Sequence, residues 1–416
     1  MGTPVGRLQG PAGPAGGSPA SGSPGQTSKG PGGFFRPEGM ASHYNAVTTP
    51  DSRPDPAVVR RAAQIVEAVS DSLGIAAPGR DARLNLVASD LTRLPSTVPA
   101  DEDLVAKLSW VHGLIEPAPV VFQVSSNDPS GKLALDTLRG RLPGLLATGR
   151  FGRVGIWARR TAGLWRLVVV LQETHIATHP IARSISCSRS LFLTGRVIGP
   201  FVGPSVVVTR PDGSTAERRG RGRGKTFSQT LRFNGGQGSY QVEILARGSA
   251  GPTVLANFPV YCGVRPPTVF ALAPRRRAKV GRAMNVSQMD ARLVSLVNRD
   301  RSAARRSMLR RWSLLDRVAR SHSIEMCRTG RFGHYSPVTG SASDRLRRVG
   351  LRPSLVAENV AQAADVDAAH RALMGSPSHR ANILAGNVTL IGVGVVPCRL
   401  ADGTVQVDVT ELFIRK

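Results

Sequence analysis

Cysteine is scarce in this chain of 416 residues: four in all, Cys187, Cys262, Cys327 and Cys398, with no C-x-x-C pair among them, which argues against a zinc ribbon. Lysine is nearly absent, occurring only at Lys29, Lys107, Lys132, Lys225, Lys279 and Lys416, so arginine carries almost all of the net charge of +27. Those arginines are dispersed through every segment rather than clustered. Dispersed charge makes a solvated basic surface with non-specific affinity for anionic surfaces, and it does not make a specific nucleic-acid site. No apolar run approaches the length that spans a bilayer. Residues 1 to 50 lack the charged-then-apolar pattern of a signal peptide.

An even number of cysteines suits disulfides in an oxidising compartment, while four buried thiols is the competing reading. Two cysteines fall in each of the two later regions. This segregation predicts Cys187 with Cys262 and Cys327 with Cys398, provided each pair of Cα atoms lies within about 7 Å.

The length predicts two to three domains. Residues 1–55 are Gly/Pro/Ser-rich and read as a disordered head. From about 56 to 176, Val58, Val59, Ala62, Ile65, Val66 and Val69 share a helical face, and further helices are expected near Leu104–Leu114 and Leu133–Leu146. Arg153–Trp157 and Leu164–Leu171 then read as paired strands. His112, a lone histidine in Val111-His112-Gly113, reads as structural. From 178 to 265, short segments at Leu191–Leu193, Ser205–Thr209, Thr226–Phe233, Ser239–Leu245 and Val254–Tyr261 predict an antiparallel β-sandwich, immunoglobulin-like in architecture. The basic run Arg218–Lys225 lies between two of its strands, either as a grip for phosphates or an anionic polymer or as a polar hairpin loop. Residues 266–284, with Pro266-Pro267 and Arg275–Arg277, read as a basic linker without compact packing.

The last region, 285–416, opens on Ser287, which can cap a helix with Asp290 reaching back. Its second helix puts Leu315, Val318, Ala319, His322 and Met326 on one face, so His322 reads as a packed helix histidine. In the final strand Glu411 is in phase with Val405, Val407, Val409 and Phe413. A carboxylate there needs a partner or a proton. Three words stand out: Phe332-Gly333-His334-Tyr335-Ser336-Pro337, Ala357-Glu358-Asn359-Val360-Ala361, and Ser376-Pro377-Ser378-His379-Arg380-Ala381-Asn382. Together they deliver two imidazoles and a carboxylate, a set that holds a divalent cation or does acid/base work. The run from His370 to Ser376 adds no carboxylate.

These words, with Asn298 and Arg301 in an N-x-x-R pattern and the run Leu315–His322, resemble the bacterial branch of the CAP superfamily (cysteine-rich secretory proteins, antigen 5, pathogenesis-related 1; also called SCP domains) over about residues 285–416. The resemblance implies an α+β fold, an α-β-α sandwich with a shallow cleft lined by His334, Glu358 and His379. It also suggests that 56–176 is a degenerate CAP-like domain without the cleft words, since Arg153–Leu171 aligns with Ile391–Phe413.

Three functions are compatible with this cleft. The first is an extracellular or cell-envelope binding module in which His334 and His379 hold Zn²⁺ or another divalent cation, with Glu358, Asn359 and Glu411 lining a site for a small-molecule or lipid ligand. The second is a metal-assisted hydrolase with Glu358 as base and His334 or His379 as acid. The third is a purely structural or adhesive multidomain protein. Ser378 reads as an N-cap rather than a nucleophile.

Overall fold

A computed structural model describes residues 33–46, 56–95, 98, 100, 102–146, 150–219, 224–248, 251–272, 284–329, 332–336, 338–399 and 405–416. The head up to residue 32, residues 220–223 of the basic run and residues 273–283 of the linker lie outside them.

The first unit is built from β1 (Phe34–Phe35), β2 (His43–Tyr44), α1 (Ala57–Ser72), β3 (Gly79–Arg80), α2 (Ala82–Arg93), α3 (Glu102–Val111), β4 (Val120–Ser126), α4 (Lys132–Leu146), β5 (Phe151–Thr161) and β6 (Leu164–Glu173). Its sheet runs β3-β5-β6-β4. Residues of α1 and α4 pack on one face of this sheet and residues of α2 and α3 on the other. The second unit comprises β7 (Ile176–Thr178), β8 (Ile181–Ala182), β9 (Ser184–Ile185), β10 (Ser190–Val197), β11 (Val202–Thr209), β12 (Thr215–Arg219), β13 (Thr226–Arg232), β14 (Gly238–Gly248), β15 (Gly251–Cys262) and β16 (Phe270–Ala271). Sheets β13-β10-β7 and β12-β11-β14-β15-β9 share one apolar core, and Tyr240, Val242 and Ile244 of β14 point into it.

The third unit comprises α5 (Val286–Ala303), β17 (Arg310–Arg311), α6 (Ser313–Thr329), α7 (Ala342–Arg348), β18 (Leu355–Ala363), α8 (Val366–Gly375), α9 (Pro377–Ile383), β19 (Leu390–Arg399) and β20 (Val405–Arg415). Its sheet runs β17-β19-β20-β18, so β18 is an edge strand. Side chains of a strand alternate between the faces of the sheet. Val407, Val409 and Phe413 therefore meet α5, α8 and α9, while Leu412 and Ile414 meet α6 and α7.

The first and third sheets share strand order, strand directions and register. In the first, Ile156 stands opposite Val169 and Val169 opposite Phe122; in the third, Val393 stands opposite Glu411 and Glu411 opposite Asn359. The backbone N–H of Ile156 donates to Asn85 of α2 at 2.9 Å, and that of Val393 donates to Asp316 of α6 at 2.9 Å. In both units a glycine lies beneath the crossing helix. A Cβ on Gly155 would fall 2.2 Å from Leu84, and one on Gly392 2.2 Å from Leu315. Neither α2 nor β4 is anticipated by the sequence reading, because α2 is half polar and β4 is a short run set behind Pro117 and Pro119.

Three expectations are corrected. Residues 33–46 of the supposed head are ordered: β1 pairs with β16, and β2 pairs with β8. Tyr44 is fully buried, packs on Phe258 and donates its hydroxyl to the Pro259 carbonyl at 2.7 Å. Aromatic side chains set in a Gly/Pro-rich stretch are enough to dock it. The start of the supposed linker is packed for the same reason, with Phe270 in β16 and Leu272 buried in the first unit's core. The cap of α5 is Asn285, in a reciprocal capping box with Gln288, two residues before the expected Ser287.

Both disulfides are formed, Cys187–Cys262 with Cα atoms 5.2 Å apart and Cys327–Cys398 with 5.6 Å. No helix among the described residues is long and apolar enough to cross a membrane.

The buried glycines give a direct test. Gly155→Ala and Gly392→Ala each force a helix off its sheet and should each cost about 1–3 kcal/mol in urea unfolding. Gly140→Ala, which meets nothing within 4 Å in α4, should leave stability unchanged or raise it.

Candidate functional site

The cleft forms at the edge strand β18, because consecutive residues there address opposite faces of the sheet. Glu358 points toward α6 and α7, and Asn359 points toward α8 and α9. Glu358 is 8 % exposed and uses both oxygens. The Nδ1 of His334 lies 3.1 Å from Oε1, and the Arg345 guanidinium of α7 is paired with Oε2. Burial pushes the Glu358 carboxyl upward, but the hydrogen bond from His334 and the Arg345 charge outweigh it and hold it below the ordinary range. An ionised carboxylate only accepts, so His334 donates from Nδ1, and the neutral ring in this tautomer has its lone pair on Nε2.

The loop carrying His334 is fastened at several points. Ser336 is buried, donates its hydroxyl to Glu325 of α6, and accepts at Oγ from the N–H groups of Val338 and Thr339. Thr339 donates to the other Glu325 oxygen at 3.1 Å. Arg345 also donates to the Gly340 carbonyl at 2.7 Å. Behind the loop, His322 is buried and donates from Nε2 to the Gly333 carbonyl at 2.8 Å. Burial lowers its pKa, so it stays neutral. It packs as expected, and it also backs the site.

On the other face Asn359 is fully buried and joins three groups. It donates to the His379 carbonyl at 3.2 Å and to Glu411 Oε2 at 2.9 Å, and it accepts from Asn382 at 2.9 Å. His379 sits on α9, which starts at Pro377 with Ser376 as N-cap, so Ser378 is inside the helix rather than its cap. The His334 and His379 rings are 6.2 Å apart between centroids and tilted by 41°. Burial, reinforced by His334, lowers the His379 pKa to about 3, so its imidazole is neutral at any physiological pH. Glu411 is fully buried; among the described residues no arginine pairs with it, and its Oε1 has no hydrogen-bond partner. Burial raises its pKa to about 7, against the hydrogen bond from Asn359.

The five expected residues thus gather around one strand, but not as five ligands. Among the described residues, His334, Glu358 and His379 do not bring three ligand atoms within 4.8 Å of one another; the trio that does is Cys327, Cys398 and Asp408, whose sulfurs are bonded to each other. Two rings sharing one zinc through bonds of about 2.0–2.1 Å stand with centroids roughly 5–6 Å apart. His334 and His379 are near that spacing, and Glu358 holds the far nitrogen of His334 in the manner of a metal site's supporting carboxylate. The donor set fits an exchangeable cation on two imidazoles and falls short of a closed structural site. An open depression of about 500 Å³ lies on the flank of the His334 loop, lined by Tyr335, Val338, Thr339, Gly340, Asp344, Arg347 and Arg348. Sequence reasoning missed Arg345, which carries no signal among so many arginines, and Glu325, which looks like any helix-surface acid.

Glu411 yields a pH test with a definite sign. Its folded pKa lies above the unfolded value, so the folded state retains the proton between about pH 4.5 and 7. The stability this contributes is complete below pH 4.5 and lost as pH rises toward 7. Glu411→Gln, which cannot ionise, should match the wild type near pH 4 and exceed it above pH 7, by about 1–3 kcal/mol. Thermal melts of both proteins across this range check it; a constant difference would mean that Glu411 is ionised throughout.

Comparison with known proteins locates this architecture. The profile of the cysteine-rich secretory protein family matches residues 294–407. The uncharacterized protein YkwD of Bacillus subtilis is 32% identical over 127 residues, 30% of this chain, which spans about half (49%) of that relative's length. Among solved structures, an outer surface protein from Borrelia burgdorferi aligns at 18% identity and a TM-score of 0.29, covering 33% of this chain and 100% of its own. An extracellular protein containing an SCP domain from Bacillus anthracis aligns at 19% identity and a TM-score of 0.28, covering 65% of this chain and 91% of its own. By the family match, residues 294–407 are a CAP domain of the cysteine-rich secretory protein family set within a longer chain.

Proposed function

We propose that the third unit is a binding module whose cleft takes up an exchangeable divalent cation through Nε2 of His334 and the imidazole of His379. The observation that carries this is the pairing of His334 Nδ1 with Glu358 at 3.1 Å, which aims the ring's free lone pair away from the carboxylate, while a second neutral imidazole stands 6.2 Å off. Zinc, when bound, would supply a Lewis-acidic point at which a small ligand or a lipid headgroup can coordinate. Two disulfides support a protein that works in an oxidising compartment, outside the cell or in its envelope.

The hydrolase reading is less well supported. A general base needs a free lone pair near its substrate. Glu358 is buried and committed to both His334 and Arg345. Ser336 is equally committed, to Glu325 and its own loop.

The first unit reads as a copy of this module without the cleft. Positions that hold Glu358, Asn359, Glu411 and His322 in the third unit hold Val121, Phe122, Val169 and Leu91 in the first, by register and by the helix contact of Leu84 and Leu315. At each of these four positions a polar group of the cleft is replaced by an apolar one, which supports a scaffolding role for that unit.

Zinc titration by calorimetry tests the cation reading. The wild type should bind about one weakly held ion, removable by chelator with little change in Tm. His334→Ala and His379→Ala should each abolish uptake while remaining folded, and Glu358→Gln should weaken it about 10–100-fold. If the wild type binds no cation, or the histidine variants unfold instead, the cleft is structural and the adhesive reading takes its place.

A further inference from the structure

The helix that carries His379 is not capped by its own unit. In α9 the N-cap Ser376 makes no side-chain cap, which leaves the N–H groups of the first turn to find acceptors elsewhere. The acceptor is Glu243 of the second unit, 135 residues away: its Oε2 accepts from the Ser378 N–H at 2.8 Å, and its Oε1 accepts from the Ser376 hydroxyl at 2.6 Å.

Glu243 reaches α9 because of strand alternation. Tyr240, Val242 and Ile244 of β14 fill the second unit's own core, so Gln241 and Glu243 face outward. Yet Glu243 is fully buried, because the third unit covers that outer face. Among the described residues no arginine or lysine pairs with it; its oxygens are answered by hydrogen-bond donors of α9 and its N-cap. A buried carboxylate is costly unless its oxygens are matched, so the two donors and Glu243 hold each other in place.

Neighbouring contacts fix the same joint. Gln241 donates to the Asn257 side-chain oxygen at 2.6 Å, and Asn257 donates to the Gly375 carbonyl, the end of α8, at 3.3 Å. Trp110 of the first unit donates to the Asn257 backbone carbonyl at 2.7 Å, so all three units meet within a few residues of His379. Arg380, the next residue, lies against Gly213 in the turn between β11 and β12; a Cβ there would fall 2.9 Å from its guanidinium.

We propose that Glu243 is a positioning residue for His379, so that the second unit sets the place of one imidazole in the cleft of the third. The consequence for cation binding rests on the reading given above; the geometric claim does not. A residue that only stabilises the interface would lower Tm without moving His379. A positioning residue must move it.

The test is Glu243→Gln in the full chain with ¹³C-labelled histidine, read by NMR and by zinc titration. The amide keeps the volume but offers one acceptor instead of two. We expect the His379 ring resonances to shift, those of His112 and His370 to stay in place, and zinc affinity to fall about 10–100-fold. Ser376→Ala, which removes one of the two hydrogen bonds, should move His379 in the same direction by less, and it stands in if Glu243→Gln fails to fold. Unmoved His379 resonances in a folded variant overturn the proposal, whatever happens to Tm. Absence of zinc binding in the wild type overturns the cation reading alone, and the histidine resonances still decide the role of Glu243.

Discussion

A carboxylate buried at the edge of a sheet has to be matched on both oxygens, and the matching of Glu358 organises the C-terminal unit. One oxygen takes His334, which fixes the tautomer and aim of that ring. The other takes Arg345, which in turn holds the Gly340 carbonyl and so the shape of the loop between α6 and α7. The neighbouring Asn359 does the same for the opposite layer, tying the His379 carbonyl and Glu411. Two adjacent residues of opposite parity thus hold imidazoles from the two sides of the sheet at one edge strand. The charge balance is part of the outcome. With Arg345 committed to Glu358, the cleft offers a cation two imidazole rings and a carboxylate already spent.

Much of this was legible in the sequence, and the reasons are specific. Glu358, Asn359, His334 and His379 lie in short words where unusual residues stand side by side, and local order of that kind survives in a single sequence. The phase of Glu411 with Val407, Val409 and Phe413 followed from alternation alone. The alignment of Arg153–Leu171 with Ile391–Phe413 lies one residue from the observed register at its start, because a glycine must sit under a helix in each hairpin. What stayed hidden is what only the assembled chain creates. Arg345 is one arginine among dozens until α7 brings it to Glu358. Glu243 alternates with apolar neighbours as a solvent-facing residue should, and only the docking of another unit buries it.

The failures at the chain's Gly/Pro-rich segments have a common cause. Composition describes how well a segment can make its own core, and residues 33–46 and 270–272 make none. They borrow one. Phe35 and Leu272 enter the first unit's core and Tyr44 the second's, each through a single large side chain in otherwise weakly apolar surroundings. A sparse anchor of that sort lies below the resolution of any window average.

The pairing of Phe34 with Ala271 also imposes a timetable. The first of these strands leaves the ribosome early, and its partner is made more than two hundred residues later. At about 5–20 residues per second the early segment waits roughly 12–50 s before it can close. Over that interval β1 lacks its strand partner, and Leu272 is still missing from the first unit's core. Closing β1 onto β16 therefore has to wait until the chain of the second unit has been made, a latch set by the order of synthesis.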